Sequence, residues 1–411
     1  MSGGGTEVER ALDAAVDEAF EARQVPFFAR LVETPSHTHA KDDVEVAARM
    51  VEAFGEGLGL SVERHADPEG RFADHRVFAS PAAGADEPAL LLVGHVDTVF
   101  PRSMGFLHFR RGEGEASDLV YGPGTLDMKS GLSCMLFALD AVARVVPDFL
   151  STFPLRMLCN TDEEVGSPSS APLVRRLAAV TTRALVFEGG REGDRIITRR
   201  KGGGTFVVDV EGVSAHAGNE HDKGVNAIVA LSYVIPVIAS WTDYDAGTTI
   251  NVGLVEGGTA KNTVPDKARC VVDARFVTME EARRIERKFA EWVADPFAGL
   301  DVPDRLRRAT FRLRGGITRP PMEATEATQR LRLDYEACAA AVGLGVGEAP
   351  LQGGGSDANL LAAEGVAVID GLGPYGRFFH NPREFSSLSS LRKRTKALAR
   401  FLVSERLRHR S

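Results

Sequence analysis

ALLLVGHVD (89–97), FPLRMLCNTDEE (153–164), TRALVFEGG (182–190) and VAVIDGLG (366–373) are short runs of almost unbroken apolar residues. Helix-like stretches such as SGLSCMLFALDAVARVV (130–146) and SAPLVRRLAAV (170–180) lie between them. A strand exposed on one face alternates apolar and polar residues, whereas a strand covered on both faces reads as continuous Val, Leu and Ile. The pattern predicts an α/β fold with a mixed, mostly parallel sheet covered by helices. Each run ends in, or shortly before, a residue able to bind metal or to move a proton. Ligands of open α/β sheets collect beyond the carboxyl ends of the strands, so the four runs point to one common site.

Upstream, apolar residues recur at helical spacing from Ala11 to Phe54, interrupted by the polar loop TPSHTHAKDD (34–43), so the chain is expected to open with two helices. His37 and His39 in that loop read as capping or solvated residues. From Gly202 to Arg314 the texture changes. GGTFVVDVEGVSAH (203–216), TTINVGLVEGG (248–258) and ARCVVDARFV (268–277) alternate, GVNAIVALSYVIPVIASW (224–241) and EEARRIERKFAEWVA (280–294) are helical, and FRLRGG (311–316) closes the series. Strand, helix, strand, strand, helix, strand is a ferredoxin-like α+β layer. The expected organisation is therefore residues 1–201 and 315–411 as one domain with 202–314 inserted as a second.

The composition excludes several classes. With 44% hydrophobic and 26% charged residues, 411 residues are enough for large cores. The 57 acidic and 49 basic residues give a net charge of −8 with no sustained basic run, so nucleic acid is not an expected partner. The basic cluster RLRHR (406–410) suits the negative end of a helix. Cys134, Cys159, Cys270 and Cys338 are far apart in apolar surroundings and read as buried free thiols. The first 20 residues lack the pattern of a signal peptide, and no apolar run approaches the ~20 residues of a membrane helix, so a soluble, cytoplasmic protein is expected.

Hydrolases hold divalent cations through His nitrogen and carboxylate oxygen, and a two-metal site needs a carboxylate that bridges the pair. In GHVDTVF (94–100), His95 and Asp97 are two apart at a strand end and share one side. His95 can then bind metal while Asp97 accepts its other ring N–H, although turn hydrogen bonds would satisfy both residues equally well. YGPGTLDMKSG (121–131) presents Asp127 either to the site or as a helix cap. In NTDEEVGS (160–167), adjacent Glu163 and Glu164 repel each other unless cations offset them. Glu164 would bind metal while Glu163 acts as the base, or both belong to a solvated acidic loop. Glu188 and His380, the latter in GRFFHNPREF (376–385), complete two imidazoles and three carboxylates, the inventory of a two-zinc pair, while each alone could also be a satisfied structural residue.

Together with GVSAHAG (212–218), NVGLVEGG (251–258), KNTVP (261–265), DAR (273–275) and GGGSDAN (353–359), these motifs resemble the zinc exopeptidase family. That family contains glutamate carboxypeptidase, acetylornithine deacetylase, succinyl-diaminopimelate desuccinylase and aminoacylase. The resemblance spans roughly residues 90 to 385, in the family's order. It implies that His95 and Glu188 bind one zinc, that Glu164 and His380 bind the other, that Asp127 bridges them and that Glu163 is the general base. It also implies a catalytic domain with an inserted lid that dimerises, and a cis peptide after Asp127. His216 matches the histidine that polarises the scissile carbonyl across a homodimer, though a surface role suits its position equally. Asn262 and Arg275 match residues that hold a substrate carboxylate, for which a guanidinium fork is well shaped. Arg319 in GGITRPPM (315–322) matches a further arginine, and Gly354, Gly355 and Ser356 form a turn whose N–H groups could hold an anionic end.

The expected activity is cleavage of an amide bond next to a carboxylate-bearing amino acid, of glutamate carboxypeptidase type, with two Zn2+ per subunit, Co2+ or Mn2+ being possible substitutes. The alternatives are an N-acyl-amino-acid deacylase and an inactive binding protein on the same scaffold. The spelling of NTDEEVGS, the GPG before Asp127 and the RPPM segment favour the carboxypeptidase.

Overall fold

The computed structural model describes residues 7–410 and divides into two compact units. The larger takes the described residues up to Thr198, Ala324–Leu351 and those from Ser356 onward, and the smaller is Arg199–Glu323 with Gln352–Gly355.

The larger unit is built on a six-stranded sheet in the order Ser61–His65, His75–Ala79, Leu155–Asn160, Ala89–His95, Thr181–Val186, Ala367–Ile369. The last four are parallel and the first two antiparallel. Every residue of Ala89–His95 and of Leu155–Asn160 is buried, as expected of strands covered on both faces. Helix Lys129–Val145 is buried along almost its whole length because Glu7–Ala19, Val25–Glu33 and Leu388–Arg410 pack around it. The first expected helix continues from Glu7–Ala19 through a π-helical turn at Phe20–Gln24 into Val25–Glu33, which has Pro26 in its first turn. The second is Lys41–Gly57. A small antiparallel sheet of Arg110–Arg111, Leu119–Tyr121, Phe385–Ser387 and Gly376–Arg377 carries the loop that contains His380.

The smaller unit is a four-stranded antiparallel sheet in the order Thr249–Gly257, Lys267–Phe276, Gly202–Glu211, Thr310–Arg319. Alternate residues of Lys267–Phe276 are buried, and they meet apolar residues of helices Ala227–Ala239 and Met279–Trp292 in a separate core. Phe206 stacks on Phe289 there at 4.2 Å, and burying such a ring contributes about 1.5–3 kcal/mol.

The junctions differ from the expected 202 and 314 for a local reason. The last strand runs to Arg319, because Gly315 and Gly316 adopt positive φ and let the chain stay paired with Gly202–Glu211 instead of ending it. A Cβ at Gly315 would lie 2.0 Å from the Thr205 carbonyl oxygen. Gln352–Gly355 joins this unit because Gln352 accepts from the Lys201 N–H and Gly354 accepts from the Arg200 guanidinium.

Candidate metal centre

His95 is the last residue of the central strand, and the Val186 strand end leads directly to Glu188. Neighbouring Leu155–Asn160 delivers Glu163 and Glu164 on a one-turn 3-10 segment, Glu163–Val165, which Gly166 closes in a left-handed conformation. Asp127 follows the Gly122-Pro123-Gly124 turn, both glycines of which have positive φ. At Gly124 a Cβ would also press on the buried Lys129 side chain at 2.9 Å. Lys129 itself donates to the Thr34 carbonyl, and burial pushes its pKa down to about 7.

These segments bring two groups of potential ligand atoms together: His95, Asp127 and Glu188, and Asp127, Glu164 and His380. In the first, His95 Nε2 lies 3.2 Å from Asp127 Oδ1 and 3.7 Å from Glu188 Oε1. In the second, His380 Nε2 lies 3.2 Å from Asp127 Oδ2 and 3.1 Å from Glu164 Oε2. Asp127 therefore turns one oxygen to each group. It is not the cap of helix Lys129–Val145, whose N-cap is Met128 without a side-chain bond. The Asp127-Met128 peptide is cis. Glu163 is half-buried and belongs to neither group.

Electrostatics mark the cluster as costly without counter-charge. Burial and the nearby Asp127 carboxylate raise Glu164 to about 8, and the same two causes raise Glu188 well above the usual carboxylate range. Burial would lower His95, but Glu188, Asp127 and Asp97 hold it well above its ordinary value. Bonds to Asp127 and Glu164 raise His380 to about 11. Burial opposes ionisation of Asp127, yet the bonds from His380 and His95 depress its pKa. Three carboxylates and two imidazoles held this close fit a pair of divalent cations: the donor set is nitrogen and oxygen only, three donors per cation with one carboxylate shared.

Asp97 does more than orient the imidazole. His95 Nδ1 lies 3.0 Å from the backbone oxygen of Asp97 and 3.3 Å from its Oδ1. The carboxylate accepts from the Thr38 hydroxyl at 2.8 Å and from the backbone N–H groups of Glu163 and Glu164 at 3.3 and 3.2 Å. It thus ties the first motif to the loop of the third. Two residues were not singled out from the sequence. Thr38 lies in a loop read as solvated, yet it is buried. Glu384 is fully buried four residues after His380, accepts from the backbone N–H groups of Leu126 and Asp127, and is raised to about 8 by burial. A charged residue inside an otherwise docked motif was its only signal.

The remaining candidates lie in the smaller unit or at its edge. His216 pairs with Thr263 in a two-residue ladder and is exposed, and its Nδ1 accepts from the N–H groups of Gly218 and Asn219, which places the proton of a neutral ring on Nε2. Asn262 is exposed, with its carbonyl accepting from Ala217. Arg275 Nε donates to Asp273, and Arg319 faces Gly203 at the strand end. Gly353 and Gly354 have no positive φ, and a side chain on either would meet open space. Ser356 corrects the reading of the Gly-rich turn. It caps helix Asp357–Ala363, its N–H donates to Asn359 and its hydroxyl donates to Asp370, so its N–H is not directed at a ligand.

Residues 198–300 match the family described as a peptidase dimerisation domain. The chain is similar to carboxypeptidase G2 of Pseudomonas sp. (strain RS-16), 27% identical over 393 residues that cover 95% of this chain and 90% of that one. It is similar to the succinyl-diaminopimelate desuccinylase of Hydrogenovibrio crunogenus, 26% identical over 344 residues, 78% of this chain and 85% of that one. Among solved structures, the aminopeptidase PepT of Bacillus cereus shares the fold with a TM-score of 0.73 at 20% identity, covering 93% of this chain and 98% of that one.

Proposed function

We propose that this chain is a metallopeptidase of the M20 type and, more finely, a two-zinc hydrolase of carboxypeptidase type that cleaves the amide bond beside a carboxylate-bearing amino acid; the match to a peptidase dimerisation domain and the similarity to carboxypeptidase G2 and a desuccinylase support it. The observation that carries the reading is the pair of ligand groups sharing Asp127. His95 and Glu188 would hold one cation, Glu164 and His380 the other, with Asp127 between them. When bound, the cations supply a water acidified to near-neutral pH and positive charge for the carbonyl oxygen.

Glu163 has its backbone N–H held by Asp97 and its carboxylate outside both ligand groups. It takes the proton of the attacking water and returns it to the departing nitrogen, so the amine leaves neutral. Asp97 keeps His95 in one tautomer and keeps Glu163 in place. From the smaller unit, Arg275, Asn262 and Arg319 are assigned to the substrate carboxylate and His216, through Nε2–H, to the carbonyl oxygen. Gly354 and Gly355 remain assigned to an anionic end through their backbone.

The match to a dimerisation domain, with Leu254 and Val255 exposed on the edge strand Thr249–Gly257, supports a homodimer through this unit. Sedimentation analysis tests it. No helix among the described residues is long and apolar enough to cross a membrane, in keeping with a cytoplasmic enzyme.

The test is metal analysis joined to a panel of peptidyl and N-acyl glutamates, aspartates, ornithines and diaminopimelates. About two cations per chain and a preference for glutamyl substrates support the reading. The similarity to a desuccinylase favours the deacylase as the second reading, and a preference for N-acetylornithine or N-succinyl-diaminopimelate would establish it instead. Absence of divalent-cation binding would refute both.

A further inference from the structure

The sequence singled out the GGGSDAN motif for its glycines, but the structure gives the most constrained chemistry to its aspartate. Asp357 is 1% exposed, and its carboxylate faces the loop that carries Glu163 and Glu164. Its Oδ1 accepts from the Ser167 hydroxyl at 2.5 Å and its Oδ2 from the Asn160 amide at 2.7 Å. These two residues bracket the loop: Asn160 is the last residue of the strand, and Ser167 follows the closing Gly166. Ser167 has φ of +58°, a left-handed conformation that non-glycine residues adopt only where their surroundings impose it.

The rest of the loop's underside is equally committed. Asn160 Oδ1 accepts from the N–H groups of Thr161 and Asp162, so one side chain both receives the start of the loop and reaches Asp357. Asp162 accepts from the N–H groups of Ser169 and Ser170 and from the Ser170 hydroxyl. The Thr161 hydroxyl donates to the Ala73 carbonyl. Asn160, Thr161, Asp162, Ser167 and Ser170 are all fully buried, whereas Glu163 and Glu164 between them are not. A buried network of this kind has one low-energy arrangement, because every broken bond leaves a dehydrated polar group.

We propose that Asp357 is a positioning residue for the reaction: by fastening both ends of the 160–167 loop it sets where the Glu163 and Glu164 carboxylates stand. Asp97 holds the same two residues from their backbone N–H side. The loop is therefore clamped between two buried aspartates that belong to distant parts of the sequence, and Asp357 belongs to neither ligand group. The proposal rests on the assignment of Glu163 as base and Glu164 as ligand.

The test compares Asp357→Ala, which leaves Asn160 and Ser167 without an acceptor, with Asp357→Asn, which can still accept from Asn160 and donate to Ser167. Three readouts are taken on the full chain. They are kcat and KM on the best glutamyl substrate of the wild type, Zn2+ affinity by competition with a chromophoric chelator, and the visible spectrum of the Co2+-loaded protein. Outer-shell partners of metal ligands typically cost about 10–100-fold when removed. In Asp357→Ala, kcat is expected to fall by about that factor with KM within about twofold, one of two Zn2+ to bind more weakly, and the Co2+ spectrum to change. Asp357→Asn is expected to recover most of the loss. If Asp357→Ala does not fold, Ser167→Ala removes one fastening alone and should lower kcat in the same direction.

A folded Asp357→Ala with wild-type kcat and Zn2+ affinity would overturn the proposal, as would an unaltered Ser167→Ala where Asp357→Ala cannot be studied. Loss that appears equally in KM, or that Asp357→Asn does not relieve, would overturn it as well. A wild type that binds no pair of cations refutes the proposed function, whereas a competent wild type with an indifferent Asp357 variant refutes only this inference.

Discussion

Replacing Asp97 with Asn tests the link between the first and third motifs without changing side-chain size. Asp97 Oδ1 faces two donors, the Glu163 N–H at 3.3 Å and His95 Nδ1 at 3.3 Å, and Oδ2 faces the Thr38 hydroxyl and the Glu164 N–H. An amide has one accepting end. If its NH2 takes the Oδ1 position, it opposes both His95 and Glu163. If it takes the Oδ2 position, Thr38 can turn to accept, but the Glu164 N–H meets another donor. Each charge-assisted bond contributes about 1.5–3 kcal/mol, and these N–H contacts are long, so the lower end applies. A loss of about 1.4–2.8 kcal/mol is expected, equivalent to the ~10–100-fold seen for outer-shell partners. Isothermal titration of the metal-free protein with Zn2+, paired with kcat/KM of the reloaded enzyme, measures it directly. An Asp97→Asn variant that binds two Zn2+ with wild-type affinity and turns over normally would show that the carboxylate holds nothing the reaction needs.

Glu163→Gln should keep both cations while kcat falls by about 10²–10⁴-fold, and turnover near the wild-type rate with full metal content would remove Glu163 from the mechanism. Glu188→Ala should bind one cation tightly, whereas Asp127→Ala should lose both, because Asp127 serves both groups; elemental analysis after gel filtration separates these outcomes. Burial pushes Cys134 and Cys159 to about 12 and Cys270 and Cys338 to about 11. At pH 8 the thiolate fraction is then at most about one part in a thousand, so Ellman's reagent should label these thiols slowly in the folded protein and all four at once in guanidinium. Bonds from Arg64 and Arg76, opposed by burial, lower the folded-state pKa of Glu52. A depressed carboxylate contributes stability that is complete above its unfolded value of about 4.3 and is lost as pH falls through the folded value. Glu52→Gln should therefore lower Tm at pH 7 and flatten the decline of Tm below pH ~4.3, and an unchanged acid limb would rule this out.

The sheet of the larger unit was legible because a strand covered on both faces must be apolar throughout, which GHVD, NTDEE and FEGG each break at one end. His95, Glu164 and Glu188 stand out for the same reason, as polar residues at or just beyond the end of an apolar run, whereas Asp127 after a Gly-Pro-Gly turn and His380 in a loop were legible only jointly with them. What the sequence hid depends on contacts between distant segments. Thr38 looked solvated because its loop is polar, and only the fold sets it against Asp97. Asp357 looked secondary to the glycines before it, although Gly353 and Gly354 have open space where a side chain would stand while the aspartate is buried. The Gly315-Gly316 pair looked like a strand end, and its left-handed φ instead carries the strand onward. Propensity reads a residue against its neighbours in the chain, and these positions are decided by neighbours in space.

The proposed ligands at positions 95, 127, 164, 188 and 380 come from five separate segments, so no fragment of the larger unit would own a whole cation site. Cation occupancy is thereby coupled to completion of this unit: a half-made chain offers single weak donors, and only the finished one offers two full sets. By mass action, metal at a hundred times its dissociation constant favours that finished state by about 2.7 kcal/mol per site. The same ions that equip the enzyme for hydrolysis would then act as late arbiters of its maturation, leaving the apoprotein the form most open to proteolysis.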